Sequence, residues 1–88
     1  MADAPPALSV RVLLFAALRE GVGAGEVAVT LPAQSTGVDL LDRLAAVHDA
    51  VARHRPVLRL AVNRRYVPLD TALADGDEVA LITPVSGG

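Results

Sequence analysis

Only one stretch of this chain carries the apolar spacing of a long helix, while the other apolar stretches mostly alternate with the period of a strand. The helical stretch opens at Thr36-Gly37-Val38-Asp39, a hydroxyl followed three residues later by an acid, which approximates a capping box. Asp39 and Asp42 then lie where the helix dipole favours negative charge. Val38, Leu41, Leu44, Ala45 and Val47 form the stripe, Leu40 widens it, and Pro56 stops any continuation past Val51. A lone amphipathic helix must bury its stripe on something, and the remaining segments supply only sheet. The expectation is a two-layer α+β domain with the helix on one sheet face.

The strands read by alternation. From Ser9 to Phe15, Val10, Val12 and Leu14 share one face, and Arg11, Leu13 and Phe15 share the wetter one. Ala16 to Glu20 makes a single helical turn closed by Gly21, and Glu26 to Leu31 turns Val27, Val29 and Leu31 inward until Pro32. This second strand is antiparallel to the first if the two form a hairpin. Leu58, Leu60 and Val62 oppose Arg59, Ala61 and Asn63, after which Asn63-Arg64-Arg65 turns into the short strand Tyr66-Val67. Asp70 to Ala74 fits one helical turn and Asp75-Gly76-Asp77 a tight turn. In the last strand, Glu78, Ala80 and Ile82 oppose Val79, Leu81 and Thr83. The predicted core is Val10, Val12, Leu14, Val27, Val29, Leu41, Leu44, Leu60, Val62, Val79 and Leu81. If the first and last strands are neighbours, Leu13, Phe15 and Ile82 remain outside as an apolar patch, which a monomeric protein seldom leaves bare without a use.

Composition removes several functions. An 88-residue chain builds a single core, with a stability of about 5–10 kcal/mol. Residues 1–8 read as a flexible Ala/Pro leader, 9–83 as the domain and 84–88 as a flexible tail. The net charge of −2, with all eight basic residues arginine and only one Phe and one Tyr, offers nucleic acid neither a basic stripe nor a stacking surface. No apolar run approaches the ~20 residues that span a bilayer, so no membrane partner is expected and the location is cytoplasmic. Without cysteine there is no thiolate metal site and no thiol nucleophile. Gly21 to Gly25 lacks the Lys-Ser/Thr of a phosphate loop and reads as a connector; His48 and His54, six apart, read as surface residues rather than metal ligands. The Arg64/Arg65 pair reads as solvated. No bound cofactor or metal is expected.

The end of the chain, Pro84-Val85-Ser86-Gly87-Gly88, is the stretch that folding explains least. Terminal glycines pack nothing and lose the most backbone entropy on ordering. A chain without Cβ atoms does thread a narrow channel, and its carboxylate is sterically open. Gly88 therefore reads as the working group, and any sulfur this chain handles rides on something other than a side chain.

Three segments together carry a family resemblance: Val12-Leu13-Leu14-Phe15-Ala16-Ala17-Leu18-Arg19-Glu20 with Gly23, Ala61-Val62-Asn63, and Leu73-Ala74-Asp75-Gly76-Asp77-Glu78-Val79 running into the Gly87-Gly88 end. They resemble the small, sulfur-carrier subunit of molybdopterin synthase, a ubiquitin-like β-grasp family, over nearly all the chain past residue 9. Thr83 departs from the family, which commonly has a proline there. The resemblance implies a mixed sheet of four to five strands on one main helix. It further implies that Gly88 is adenylated by an ATP-dependent, ubiquitin-activating-like adenylyltransferase, converted to a thiocarboxylate, and inserted with Gly87 into the large synthase subunit. There it would donate sulfur to a cyclic pterin precursor during molybdenum cofactor biosynthesis. Docking positions implied for the partner are Phe15, Tyr66 and Ile82; Leu13 and the tail residues Pro84, Val85 and Ser86 extend that surface.

The chain supplies no acid, base or phosphate clamp of its own, so it is expected to be non-catalytic alone, the donor half of a sulfurtransferase complex. Other readings remain open: a carrier for thiamin-thiazole or cysteine biosynthesis, a ubiquitin-like protein modifier, or an inert interaction module with a frayed end. The Phe-Ala-x-Leu-Arg-Glu opening and Pro-Val-Ser-Gly-Gly ending favour the pterin pathway.

Overall fold

The computed structural model describes residues 7–84. In chain order it contains β1 (Ala7–Leu13), α1 (Ala16–Val22), β2 (Glu26–Pro32), α2 (Gly37–Val47), α3 (Asp49–His54), a 3-10 turn (Arg55–Val57), β3 (Arg59–Val62), β4 (Arg65–Val67) and β5 (Glu78–Ile82). The strands form one sheet in the order β2-β1-β5-β3-β4. β1 and β5 run parallel, and every other neighbouring pair is antiparallel. The first and last strands are thus neighbours at the centre of the sheet.

The period-two pattern holds through all the central strands. Val10, Val12, Leu60, Val79 and Leu81 are buried on the inner face with Leu31, and Leu18, Leu40, Leu41, Leu44 and Val51 from the helices close over them. Val27, Val29 and Val62, expected in the core, are only half-buried at its margin, because β2 is an edge strand and Val62 ends β3. Leu14 lies just past β1 and is buried at 1% exposure; its N–H donates to Gly25 O at 2.9 Å.

The capping box at α2 forms in both directions: Thr36 Oγ1 accepts from the Asp39 N–H at 3.3 Å, and the Thr36 N–H donates to Asp39 Oδ2 at 2.8 Å. Gly37 follows because no side chain fits there. A Cβ would fall 2.5 Å from the Leu69 carbonyl oxygen and against the Leu60 side chain. Asp70 to Ala74, expected as a helical turn, instead lies as a strap across the start of α2. Gly37 N–H donates to Thr71 O at 3.0 Å, Leu73 N–H donates to Ser35 O at 2.9 Å, and Thr36 bridges Ala72. These bonds use the backbone groups that a local helix would need, so tertiary pairing overrides local propensity.

Other boundaries also shift. β1 begins at Ala7, inside the expected leader, because Ala7 and Leu8 pair with Pro32 and Leu31. α1 runs through Gly21 to Val22 before Gly23 caps it at φ +88°, donating its N–H to Arg19 O at 2.9 Å. Gly21 is an interior glycine rather than a stop, since an added Cβ there would collide with Ala50 of α3. The predicted continuous helix breaks at His48, whose extended backbone (φ −119°, ψ 111°) ends α2 and caps α3. The His48 carbonyl accepts from Val51 and Ala52 N–H at 3.0 and 3.2 Å. This break turns Ala50 and Val51 into the core and leaves Val47, expected on the stripe, 71% exposed.

Two turns close the hydrogen-bond accounts of the sheet. Asn63 and Arg64 both have positive φ (+49° and +71°), the pairing of a type I′ hairpin turn. Gly76, at φ +86°, donates to Ser9 O at 2.7 Å, and the neighbouring Asp75 accepts from Ser9 N–H at 2.7 Å. Asp77 accepts from Ala74 N–H at 2.8 Å and from Asn63 Nδ2 at 2.9 Å. The turn before β5 is therefore pinned to both of its strand neighbours. Replacing Gly37 by Ala should lower the unfolding free energy by about 1–3 kcal/mol, because backbone lies in the way and cannot move aside cheaply. Urea titration would show this as a lower midpoint with an unchanged slope.

Candidate functional site

The helices cover one sheet face, and the other is the candidate site. Register places Leu13 beside Ala80, Ala80 beside Ala61, and Ala61 beside Tyr66, so four strands contribute one apolar row. Ile82 and Arg59 pair opposite each other in the next row. Leu13 and Ile82 are half-buried, whereas Phe15 and Tyr66 are 49% and 70% exposed. At the opposite border of the row, Arg11 reaches Glu26 at 3.6 Å and Glu78 at 3.5 Å. The one arginine shared by two glutamates marks the polar limit of the belt.

Phe15 lies past the end of β1 and forms the N-cap of α1, correcting the expectation of a strand residue. Its backbone is still extended (φ −132°, ψ 158°), and its carbonyl accepts from Leu18 and Arg19 N–H at 3.1 and 3.3 Å. The next residue, Ala16, has φ +48°, so the chain changes direction immediately after the ring. Phe15 continues the outer parity of Leu13 without any strand to pair with.

Pro84 is exposed two residues beyond Ile82 and is the last described position; Val85, Ser86, Gly87 and Gly88 lie outside the described residues. Phe15, Leu13, Tyr66 and Ile82 thus share the outer side, with the root of the tail leaving from the same central strand. Sequence reasoning placed Arg59, Ala61 and Ala80 on their outward parities but missed their membership of the belt. Alternation reports which side a residue takes, and only strand order reports its neighbour.

The remaining candidates resolve into structure. Gly25 packs against the Arg19 guanidinium, and an open cleft of about 450 Å³ lies between that loop and the start of α1. Its glycines cap a helix and receive a backbone hydrogen bond, as a connector does. His54 Nδ1 lies 2.8 Å from Ala50 O, and both histidines, expected on the surface, are half-buried. They stand at opposite ends of α3, and among the described residues no group of three His, Asp or Glu side chains gathers as a metal site. Among the same residues, no helix is long and apolar enough to cross a membrane.

A mixed sheet with helices on one face and an apolar belt on the other, beside a C-terminal strand, defines a ubiquitin-like β-grasp domain. The chain belongs to the ThiS family, whose model matches residues 12–88. It is 45% identical over 83 residues to the molybdopterin synthase sulfur carrier subunit of Escherichia coli K12, covering 90% of this chain and 99% of that one. Among solved structures, the Haloferax volcanii HVO 2177 protein superimposes with a TM-score of 0.86 at 29% identity, over 100% of this chain and 93% of that one. A chain in the complex of subunits 1 and 2 of the Helicobacter pylori molybdopterin-converting factor matches with a TM-score of 0.64 at 26% identity, over 92% and 100%.

Opposite parities at adjacent positions separate the site from the core. Leu14→Ala should cost about 2–5 kcal/mol, since the side chain is fully buried. Phe15→Asp should change stability by less than about 1 kcal/mol, because the ring is half exposed and aspartate suits an N-cap. Thermal unfolding of the two variants gives the comparison.

Proposed function

We propose that this chain is the sulfur-donating subunit of a molybdopterin synthase, acting in the cytoplasm, and that the Gly88 carboxylate carries the sulfur. The observation that carries this reading is the apolar belt on the sheet face from whose central strand the tail departs. Docking and delivery then belong to one surface. Phe15, Leu13, Tyr66 and Ile82 bind the large synthase subunit, while Pro84, Val85, Ser86 and Gly87 lead Gly88 into its active site.

The chemistry explains why this chain needs no catalytic side chain. A carboxylate is a poor electrophile, so activation must come first. A separate adenylyltransferase supplies ATP: the Gly88 carboxylate oxygen attacks the α-phosphorus, pyrophosphate leaves, and an acyl-adenylate forms. Sulfur at the hydrosulfide oxidation level, provided by a separate donor, adds to the acyl carbon and expels AMP, leaving a thiocarboxylate. Inserted into the large subunit, the terminal sulfur attacks a carbon of the cyclic pterin precursor and displaces an oxygen substituent there, the C–O bond breaking as the C–S bond forms and an acid of the partner protonating the departing oxygen. Water then cleaves the resulting thioester, so the carbon keeps the sulfur as a thiol and Gly88 is again a carboxylate. Two such deliveries provide the two sulfurs of a dithiolene. The carrier contributes reach, a sterically open acyl end and the docking face; proton transfers fall to its partners.

Incubation with the activating enzyme, ATP and a sulfur donor should raise the intact mass by the difference between one sulfur and one oxygen atom. Removing Gly88, or adding a residue after it, should abolish that shift and all sulfur transfer while leaving the melting temperature unchanged. An unchanged mass for the wild-type chain, or a marked loss of stability on deleting Gly88, would overturn the reading.

A further inference from the structure

We propose that Arg59 sets the electrostatic register of the docking face, and that the large subunit presents an Asp or Glu carboxylate to it at the mouth of the channel that admits the tail. This rests on the docking reading above. The charged side chains on the outer face of the sheet are Arg11, Glu26, Glu78 and Arg59, as their cross-strand partners show. At the border of the belt farther from the tail, Arg11 is shared between the two glutamates, which leaves that border with one net negative charge. Arg59 is exposed and has no ion pair and no side-chain hydrogen bond among the described residues. It stands directly across from Ile82, two residues before the exposed Pro84. Arg64 and Arg65 are also exposed, but they occupy the turn end of the β3–β4 hairpin, near Val62 rather than Ile82.

A partner that covers Ile82 also takes water from Arg59. Arginine cannot answer by losing its proton, since its guanidinium stays charged at any accessible pH. An unmet guanidinium in a drying interface is costly, whereas a carboxylate in the same position accepts two parallel N–H bonds. The neighbouring belt residues Ala61 and Ala80 are short, so the facing surface can come close enough for that contact. Before contact, an uncompensated charge at the rim of an apolar patch steers association and fixes orientation.

The carboxylate would not disturb the reacting end. Gly88 lies six positions beyond Ile82, and a chain reaches at most about 3.6 Å per residue, or roughly 20 Å. With the tail fully extended, this distance rather than salt weakens the coupling between the two charges. Attraction at the mouth and anion chemistry at the tip are thereby kept apart.

The test is the affinity of the full-length chain for the large synthase subunit of the same organism, measured by calorimetry across a salt series. Arg59→Glu should weaken binding at least about tenfold, and Arg59→Gln should flatten the salt dependence, with melting temperatures unchanged in both. Arg64→Glu, at the far end of the hairpin, should bind nearly as wild type. Wild-type affinity for Arg59→Glu, or an equal loss for Arg64→Glu, overturns the assignment. Ile82→Asp separates the two levels: if it abolishes binding while Arg59→Glu does not, only the role of Arg59 falls. If Ile82→Asp also binds normally, the docking face itself is misplaced.

Discussion

The parallel pairing of β1 with β5 is the contact on which the rest of this molecule depends. Arg11, Val12 and Leu13 align with Glu78, Val79 and Ala80, joining segments 67 residues apart in sequence. Closing so long a loop carries an entropic cost that the pairing alone does not repay. The inner faces of the same residues offset it, because Val12 and Val79 are completely buried beneath the helices. Their outer faces gain something different: Leu13 and Ala80 meet on the bare side and begin the apolar belt. One register thereby builds the centre of the core and the centre of the proposed docking face.

The turn before β5 protects that register. Asp75, Gly76 and Asp77 bond to Ser9, Ala74 and Asn63, holding β5 between β1 and the β3–β4 hairpin. A slip by one residue would exchange the two faces, sending Glu78, Ala80 and Ile82 inward and Val79 and Leu81 into water. Apolar burial opposes that error, and the fixed directional bonds of the aspartates and Gly76 also oppose a two-residue slip, which would keep the faces.

On the proposed function, the working atoms lie beyond the last strand and folding is separated from chemistry. The core can be packed for stability because no side chain in it has to react. A belt of short and half-buried residues, with Phe15 and Tyr66 standing out from it, keeps the exposed apolar area modest and bordered by charge. That compromise fits a domain that must bind, deliver and leave, since an extensive greasy face would favour self-association. If Phe15 docks as proposed, its pre-formed backbone geometry, set by the change of direction at Ala16, reduces the ordering needed on binding.

Much of this was legible in the amino-acid order. The alternating parity of Val12, Leu13, Val79, Ala80, Leu81 and Ile82 follows from side-chain polarity and the geometry of an extended chain, as does the Thr36–Asp39 cap from local chemistry. What escaped were features settled by contacts distant in sequence. His48 breaks the helix with neither proline nor glycine beside it, because the break lets Ala50 and Val51 reach the core and seats α3 on Gly21. Asp70 to Ala74 abandons its local helical preference to bond across the start of α2. Strand order, too, belonged to the tertiary structure: period-two alternation records which side of a sheet a residue takes and carries no information about which strand lies next to it. Only the assembled sheet could set Arg59 against Ile82 and draw Leu13, Ala80, Ala61 and Tyr66 into one row.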